Sequence, residues 1–342
     1  MKCVRIYEHG GIDKLMYETG PEPAIGAGDV LVNVKATSLN HIDLWIRNGM
    51  PGVKIKLPMI PGVDAAGVVA ATGESVSHVR VGDRVVVAQG ISCGHCVHCL
   101  NGNDNLCKDY LLIGEHRDGA DAEFLAVPGR NVIRLGDAVS FENAAAAALV
   151  FLTAWQMLVD KAHVKPGDDV LVVGVSSGVG SAALQIAKLF GARVITTTSS
   201  EEKATKAKQL GADDVINYSR QNVLEEVRRL TGKKGVEVLI DHVGKSVWDQ
   251  NIKCMTKGGR LITCGATSGH EAVTDLRYVF YKQLQIIGST MGRKGDLITI
   301  FRFLEQGRLK PVIDTILPLK EVREAHRLLE GGNQFGKIVM TI

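Results

Sequence analysis

The sequence predicts a two-domain α/β protein, with a β-rich domain accompanying a doubly wound parallel sheet. Three observations predict this. The chain has 342 residues, more than one hydrophobic core usually serves. Residues 1 to about 130 carry short alternating runs closely punctuated by glycine and proline, the pattern of consecutive strands and turns. From about Asp169 onward, apolar runs alternate with helical segments of ten to fifteen residues, which points to a parallel sheet with crossover helices.

Taken in order, "DVLVNVKATSL" (Asp29 to Leu39), "AAGVVAATG" (Ala65 to Gly73) and "GDRVVVAQG" (Gly82 to Gly90) read as strands. They follow each other closely enough to suggest a small twisted barrel. Near Ser140 the character changes. Ser140 stands before a long apolar stretch with Glu142 in its first turn, so a buried helix starts there. "VLVVGV" then leads through a glycine turn into "VGSAALQIAKLFG". "ARVITTTS", "VINYS", "VEVLIDHVG" and "GRLITCGA" follow as further strands, separated by helical segments. After Gly288 the pattern is mixed: "DLITIFRFLEQGRL" and "KEVREAHRLLEGG" read as helices and "GKIVMTI" as a closing strand.

Composition narrows the function classes. The 40 basic and 37 acidic side chains leave a net charge of +3 with no long basic run, so nucleic acid is not an expected partner. The N-terminal "MKCVRIYEHGG" has no apolar signal core. The longest apolar run, Ala144 to Trp155, is too short to span a bilayer. A cytoplasmic protein that does not enter membranes is expected. Seven cysteines, four of them between Cys93 and Cys107, suit a metal site better than disulfides in a reducing compartment. The spacing Cys93-x2-Cys96-x2-Cys99-x7-Cys107 closes four thiolates around one tetrahedral structural zinc. His95 and His98 lie inside the loop as competing candidates.

The glycine turn is the second chemical signal. Gly174-x-x-x-Gly178-x-Gly180 joins a buried strand to a helix, and such a turn lets the backbone approach a pyrophosphate at the helix N-terminus. About 20 residues further on, an NAD-selective site carries an acid for the ribose 2′-hydroxyl. Here Thr198, Ser199 and Ser200 stand in its place, with Lys203 nearby, while Glu201 and Glu202 open the next helix. Hydroxyls and a cation suit a 2′-phosphate, so NADP(H) is expected over NAD(H).

Together these features resemble the medium-chain dehydrogenase/reductase superfamily, the zinc alcohol dehydrogenases and their quinone oxidoreductase relatives. The resemblance runs from "GDVLVNVKATSLNHIDLWIRNG" and "LPMIPGVDAAGVV" through "VGDRVV", the cysteine lobe and "FLTAW" to "FGKIVMTI". It implies a GroES-like catalytic domain at 1–150, completed by 292–342, and a Rossmann domain at 151–291. In the alcohol dehydrogenases, catalytic zinc ligands stand at the positions of Asn40, Val63 and Leu149, and a proton-relay hydroxyl at that of Ile42. None of these residues suits that role, so the resemblance implies the zinc-free branch, which moves hydride from NADPH to an enone, quinone or related activated carbonyl. Asn40 would hydrogen-bond the enolate, orient the nicotinamide, or simply cap its loop. Asp43 would orient the loop, and Asp64 would be a supporting remnant. His41 would contact the cofactor phosphate or, second, serve as acid, with His116 a further candidate donor. Thr153 would face the nicotinamide, and Ser177, Gly178 and Val179 would cradle the pyrophosphate. Ser199, Lys203 and Tyr218 would surround the 2′-phosphate. Val243 and Gly265 would line the ribose–nicotinamide crevice, with Met291 near the nicotinamide and Lys337 on the pyrophosphate. The loop Arg47 to Leu57 would shape the substrate pocket, and "QLQIIGS" would pair across a homodimer, alone or within a homotetramer. The alternatives are an alcohol dehydrogenase or carbonyl reductase of the same superfamily and a non-catalytic NADPH-binding protein.

Overall fold

The computed structural model describes residues 1–50 and 52–342; Pro51, in the loop expected to shape the substrate pocket, lies outside the described residues. The chain divides into two units, Met1–Leu149 with Arg293–Ile342, and Val150–Gly292.

The first unit is built around strand Asp29–Ser38, whose residues alternate between buried and half-buried positions over its first half. Val30, Val32 and Val34 enter one core with Val69, Val85, Val87 and Leu125, as the two-residue period of a strand dictates. This long strand takes three partners. Ala66–Thr72 runs along most of it, Phe124–Pro128 pairs with its first half, and Lys337–Thr341 pairs with its last three residues. The sheet runs on through Arg84–Val87 to Val132–Arg134 on one side and to Ile313–Pro318 on the other. The expected barrel is therefore an open, branched sheet of seven strands: two partners share one edge of Asp29–Ser38 in succession, and no pairing among the described residues closes the ring. The helix His41–Asn48 leaves this strand directly. Arg47 anchors it, donating to the Gly10 carbonyl at 3.1 Å and pairing with Glu330 on the helix Val322–Gly331.

The second unit holds a six-stranded, wholly parallel sheet. Its order is Asp214–Asn217, Arg193–Thr198, Asp169–Val172, Val236–Asp241, Met255–Thr263, Gln285–Gly288. In chain order this is 3-2-1-4-5-6, the doubly wound arrangement whose order reverses between strands 1 and 4. Asp169–Val172 is buried along its whole length, as a strand covered on both faces must be. The crossover helices start where the sequence offers caps: Ser177, Ser200 and Asn222 each accept a backbone N–H from the first turn. Several elements have no counterpart in the sequence reading, among them the helices His41–Asn48 and Leu276–Lys282 and the strands Phe124–Pro128, Val132–Arg134 and Ile313–Pro318.

The alanine-rich helix is longer than its apolar run. Phe141–Trp155 continues as a π-helical turn over Gln156–Lys161. The resulting 21 residues are long and apolar enough to cross a membrane by length and composition, yet 83% of the most apolar window is buried inside the protein. That burial is what a core helix shows.

Candidate active site and metal centre

In the first unit, the segments expected to carry the chemistry close on each other through one carboxylate. Asp64 is wholly buried, and five donors converge on it. Oδ1 accepts from Gln89 Nε2 at 2.8 Å and from the Leu149 N–H at 3.0 Å. Oδ2 accepts from Ser38 Oγ at 2.7 Å, Asn40 Nδ2 at 2.8 Å and Lys337 Nζ at 3.4 Å. Ser38 also donates to the Ala145 carbonyl at 3.0 Å. The Leu149 N–H and the Ala145 carbonyl would close one rung of the helix, and each has a partner outside it. Asp64 thus pins the helix Phe141–Trp155 at that point.

Asn40, expected to hydrogen-bond the enolate, orient the nicotinamide or cap its loop, has its amide engaged within this cluster. Nδ2 has two protons; one goes to Asp64 and the other to the Ser38 carbonyl at 3.3 Å. Its Oδ1 accepts from Lys337 Nζ at 2.5 Å, and the residue is only 7% exposed. Lys337, expected on the pyrophosphate, lies inside the same cluster. It is 4% exposed, and its ammonium donates to the Leu39 carbonyl at 2.6 Å as well as to Asn40. Burial lowers its pKa, against the charges of Asp64 and Asp43. A lysine taken out of water needs carboxylate and carbonyl partners close by, and this one has them.

Asp43, expected to orient the loop, sits at the start of the helix His41–Asn48. Its Oδ2 accepts the Asn40 N–H at 2.7 Å, one half of a capping box at the start of the helix. Burial, reinforced by the charge of Asp121, raises its pKa well above the usual carboxylate range. His41 begins the same helix and is exposed. His116 is a turn histidine: its Nδ1 accepts the Leu112 N–H at 3.1 Å. Val63 and Leu149 are buried aliphatics.

The four cysteines converge. All four Sγ atoms lie within 4.8 Å of one another, with Cys93–Cys99 at 3.9 Å and Cys96–Cys99 at 3.5 Å. Zinc–sulfur bonds of ~2.3 Å in a tetrahedron place sulfurs about 3.8 Å apart, so this set fits one zinc with no open position. Backbone N–H groups point at sulfur, from Cys96 to Cys93 and from Cys93 to Cys107, each at 3.3 Å. The Cys93 thiol is pulled down to about 6, first by a backbone hydrogen bond from His95 and against burial. His95 turns its Nδ1 to the Cys93 carbonyl at 3.1 Å. Among the described residues, no other group of three or more His, Cys, Asp or Glu side chains brings its ligand atoms together.

In the second unit, the glycine turn lies at the carboxyl end of Asp169–Val172, where strand order reverses. Ser177 caps the helix Gly178–Leu189, with Gly178 and Val179 as its first two residues. Gly174 has φ +69, a left-handed conformation that favours glycine. Packing requires glycine at Gly180, because a Cβ there would run into the Gly174 carbonyl and the Val175 Cα. Val243 is fixed by its N–H on Asp241 Oδ1 at 2.8 Å. A Cβ on Gly265 would lie 3.0 Å from the His242 carbonyl. Met291 adopts φ +52, an unusual conformation for a side chain of its size. Thr153 is buried in the last turn of its helix.

At the end of the second strand, Ser200 caps the next helix and Ser199 accepts from Ser219 Oγ at 2.8 Å through its carbonyl. The Glu201 carboxylate, the nearest acid, is taken by Asn217 Nδ2 at 2.6 Å and by Arg220 at 3.6 Å. Tyr218 is 54% exposed and borders a cavity of about 240 Å³ together with Thr197 and Val173. Arg220 was missed by sequence reading; its signal was a cation two residues after Tyr218. His242 was also missed. It is one residue from Val243, and its Nε2 lies 2.9 Å from Ser177 Oγ.

A parallel sheet with a glycine turn at its switch point, joined to a β-rich unit bearing a four-thiolate centre, defines a nucleotide-dependent oxidoreductase architecture. Comparison with known proteins agrees. Residues 26–137 match the alcohol dehydrogenase GroES-like domain, and residues 178–306 match the zinc-binding dehydrogenase family. An alcohol dehydrogenase of Geobacillus stearothermophilus is 32% identical over 94% of each chain. The quinone oxidoreductase of Homo sapiens is 30% identical over 100% of this chain and 98% of that one. The crystal structure of an NAD-dependent alcohol dehydrogenase superposes with a TM-score of 0.97, at 48% identity and over 100% of both chains. The chain belongs to the medium-chain dehydrogenase/reductase superfamily, as an NAD(P)-dependent oxidoreductase.

Proposed function

We propose that the protein transfers hydride from NADPH to a conjugated carbonyl, an enone or quinone, without a catalytic zinc. The observation that carries this reading is the saturation of Asp64. The carboxylate is filled by five donors, one of them the Lys337 ammonium, while Asn40 is spent on both. With Val63 and Leu149 aliphatic, this cluster presents no set of metal-ligating side chains. Hydride adds to the carbon conjugated with the acceptor carbonyl, and the displaced π electrons move onto its oxygen, which then takes a proton. Delocalisation carries much of what a Lewis acid supplies to an isolated carbonyl. With both Asn40 amide protons engaged by Asp64 and the Ser38 carbonyl, this reading assigns the proton to the exposed His41 or to water.

The NADPH preference rests on the second strand, which is followed by hydroxyls and whose neighbouring acid, Glu201, accepts a hydrogen bond from Asn217 and faces the Arg220 guanidinium at 3.6 Å. A second reading, an NAD-dependent alcohol dehydrogenase, is favoured by the likeness to the 48%-identical NAD-dependent alcohol dehydrogenase and to the 32%-identical alcohol dehydrogenase. We also propose a homodimer joined through the sheet edge Gln285–Gly288, beside which Leu276 and Phe280 are each 69% exposed. An oxidation screen with NADPH and NADH over quinones, enones, enoyl thioesters and aldehydes tests the function. Turnover of quinones or enones with NADPH supports the first reading. Turnover confined to aldehydes with NADH establishes the second.

A further inference from the structure

We infer that His242 is a positioning residue of the phosphate-binding turn, holding the Ser177 hydroxyl across the point where strand order reverses. The inference rests on the reading that this unit binds a dinucleotide. Ser177 follows strand Asp169–Val172 and His242 follows Val236–Asp241. These two strands are neighbours in the sheet, and their carboxyl ends flank the crevice in which doubly wound folds bind ligands. The bond between Ser177 Oγ and His242 Nε2, at 2.9 Å, therefore spans that crevice.

The imidazole is held on both sides. A Cβ added at Gly174 would lie 3.3 Å from His242 Cε1 and 3.4 Å from Nε2, so the ring packs flush on the first glycine of the turn. Behind it, the His242 carbonyl lies against Gly265. Asp241 fixes the following turn by accepting the N–H groups of Val243, at 2.8 Å, and Gly244, at 3.3 Å. The ring is thus placed by a strand end and its capped turn rather than by a free loop.

The chemistry follows from counting protons. A serine hydroxyl has one proton and two lone pairs. The Gly180 N–H fills one lone pair at 2.9 Å. With Nε2–H donating into the second, the hydroxyl proton is left for a phosphate oxygen at the helix N-terminus. With Nε2 unprotonated, the same proton is spent on the ring. A dinucleotide phosphate selects the first arrangement, so His242 acts on the ligand through Ser177.

The test is a double-mutant cycle on the full-length, zinc-loaded protein, reading dinucleotide Kd by nicotinamide fluorescence. His242→Ala and Ser177→Ala are each expected to weaken dinucleotide binding about tenfold, the scale of one charge-assisted hydrogen bond. The double variant is expected to lose no more than about twofold beyond Ser177→Ala, because the two act through one bond. His242→Gln presents an amide N–H to the same hydroxyl and is expected to recover most of the affinity. Unchanged affinity in His242→Ala, losses that multiply, or no rescue by glutamine would each overturn the inference. Should His242→Ala fail to fold, His242→Leu takes its place in the cycle. If the unmodified protein binds neither NADPH nor NADH, the dinucleotide reading itself falls, and the inference with it.

Discussion

Replacing Lys337 with methionine removes a buried ammonium and keeps most of the apolar stem. The structure sets the scale of the loss. Two acceptors, the Leu39 carbonyl and Asn40 Oδ1, lose a charged donor at 2.6 and 2.5 Å. Each buried acceptor left without a partner costs about 1–3 kcal/mol. Asp64 keeps its other four donors and loses a cation at 3.4 Å; breaking a buried ion pair costs roughly 3–5 kcal/mol. The two costs overlap, so Lys337→Met is expected to destabilise the fold by about 3–5 kcal/mol. At roughly 2–4 °C per kcal/mol for a domain of this size, thermal unfolding should begin about 6–20 °C lower. Calorimetry and urea titration measure this directly. Dinucleotide affinity, read by fluorescence on the folded variant, is expected to stay within about twofold, because the side chain faces Asp64 and Asn40. A loss of affinity of tenfold or more with stability unchanged would refute the placement and restore Lys337 as a pyrophosphate ligand.

The other expected outcomes touch different parts of the molecule. Burial raises the Asp121 carboxyl to about 7, opposed by the hydrogen bond from Thr37. Between about pH 4 and 7 the folded state therefore binds more protons than the unfolded chain, so stability falls as pH rises through that window. Asp121→Asn should reduce this slope, which at 1.36 kcal/mol per unit amounts to at most about 4 kcal/mol across the window; an unaltered pH profile of urea midpoints would contradict it. Gly180→Ala pushes a methyl into the Gly174 carbonyl and should either unfold the nucleotide unit or abolish dinucleotide binding; wild-type affinity would show that the turn has slack. Cys96→Ser should lower zinc content and thermal stability while the surviving folded protein keeps its hydride chemistry, as metal analysis and turnover per folded chain would report.

The second unit was legible because its signals are local. Fully buried apolar strands, serine and asparagine caps and a glycine turn are all written within a few neighbouring residues. The cysteine lobe was legible for the same reason, its ligands lying within fifteen positions. What escaped sequence reading depends on contacts between distant segments. Lys337 begins a strand that reads as an ordinary edge, and only the fold brings it to Asp64, 273 positions away. Asn40 stood in the expected segment, but its availability to a substrate depended on what had already claimed its two protons. The branching at Asp29–Ser38 was invisible because alternation reveals which face is buried and says nothing about how many strands share an edge. His242 gave one signal, a polar residue at a strand end beside the switch point, and its partner Ser177 is 65 positions away.

The central claim is hydride transfer without a catalytic metal, and the direct measurement is zinc content taken on the same preparation whose NADPH-dependent turnover is recorded. One zinc per chain is expected, with turnover persisting after a chelation treatment that leaves that zinc in the cysteine lobe. A second zinc per chain, whose removal stops turnover and whose return restores it, would contradict the account.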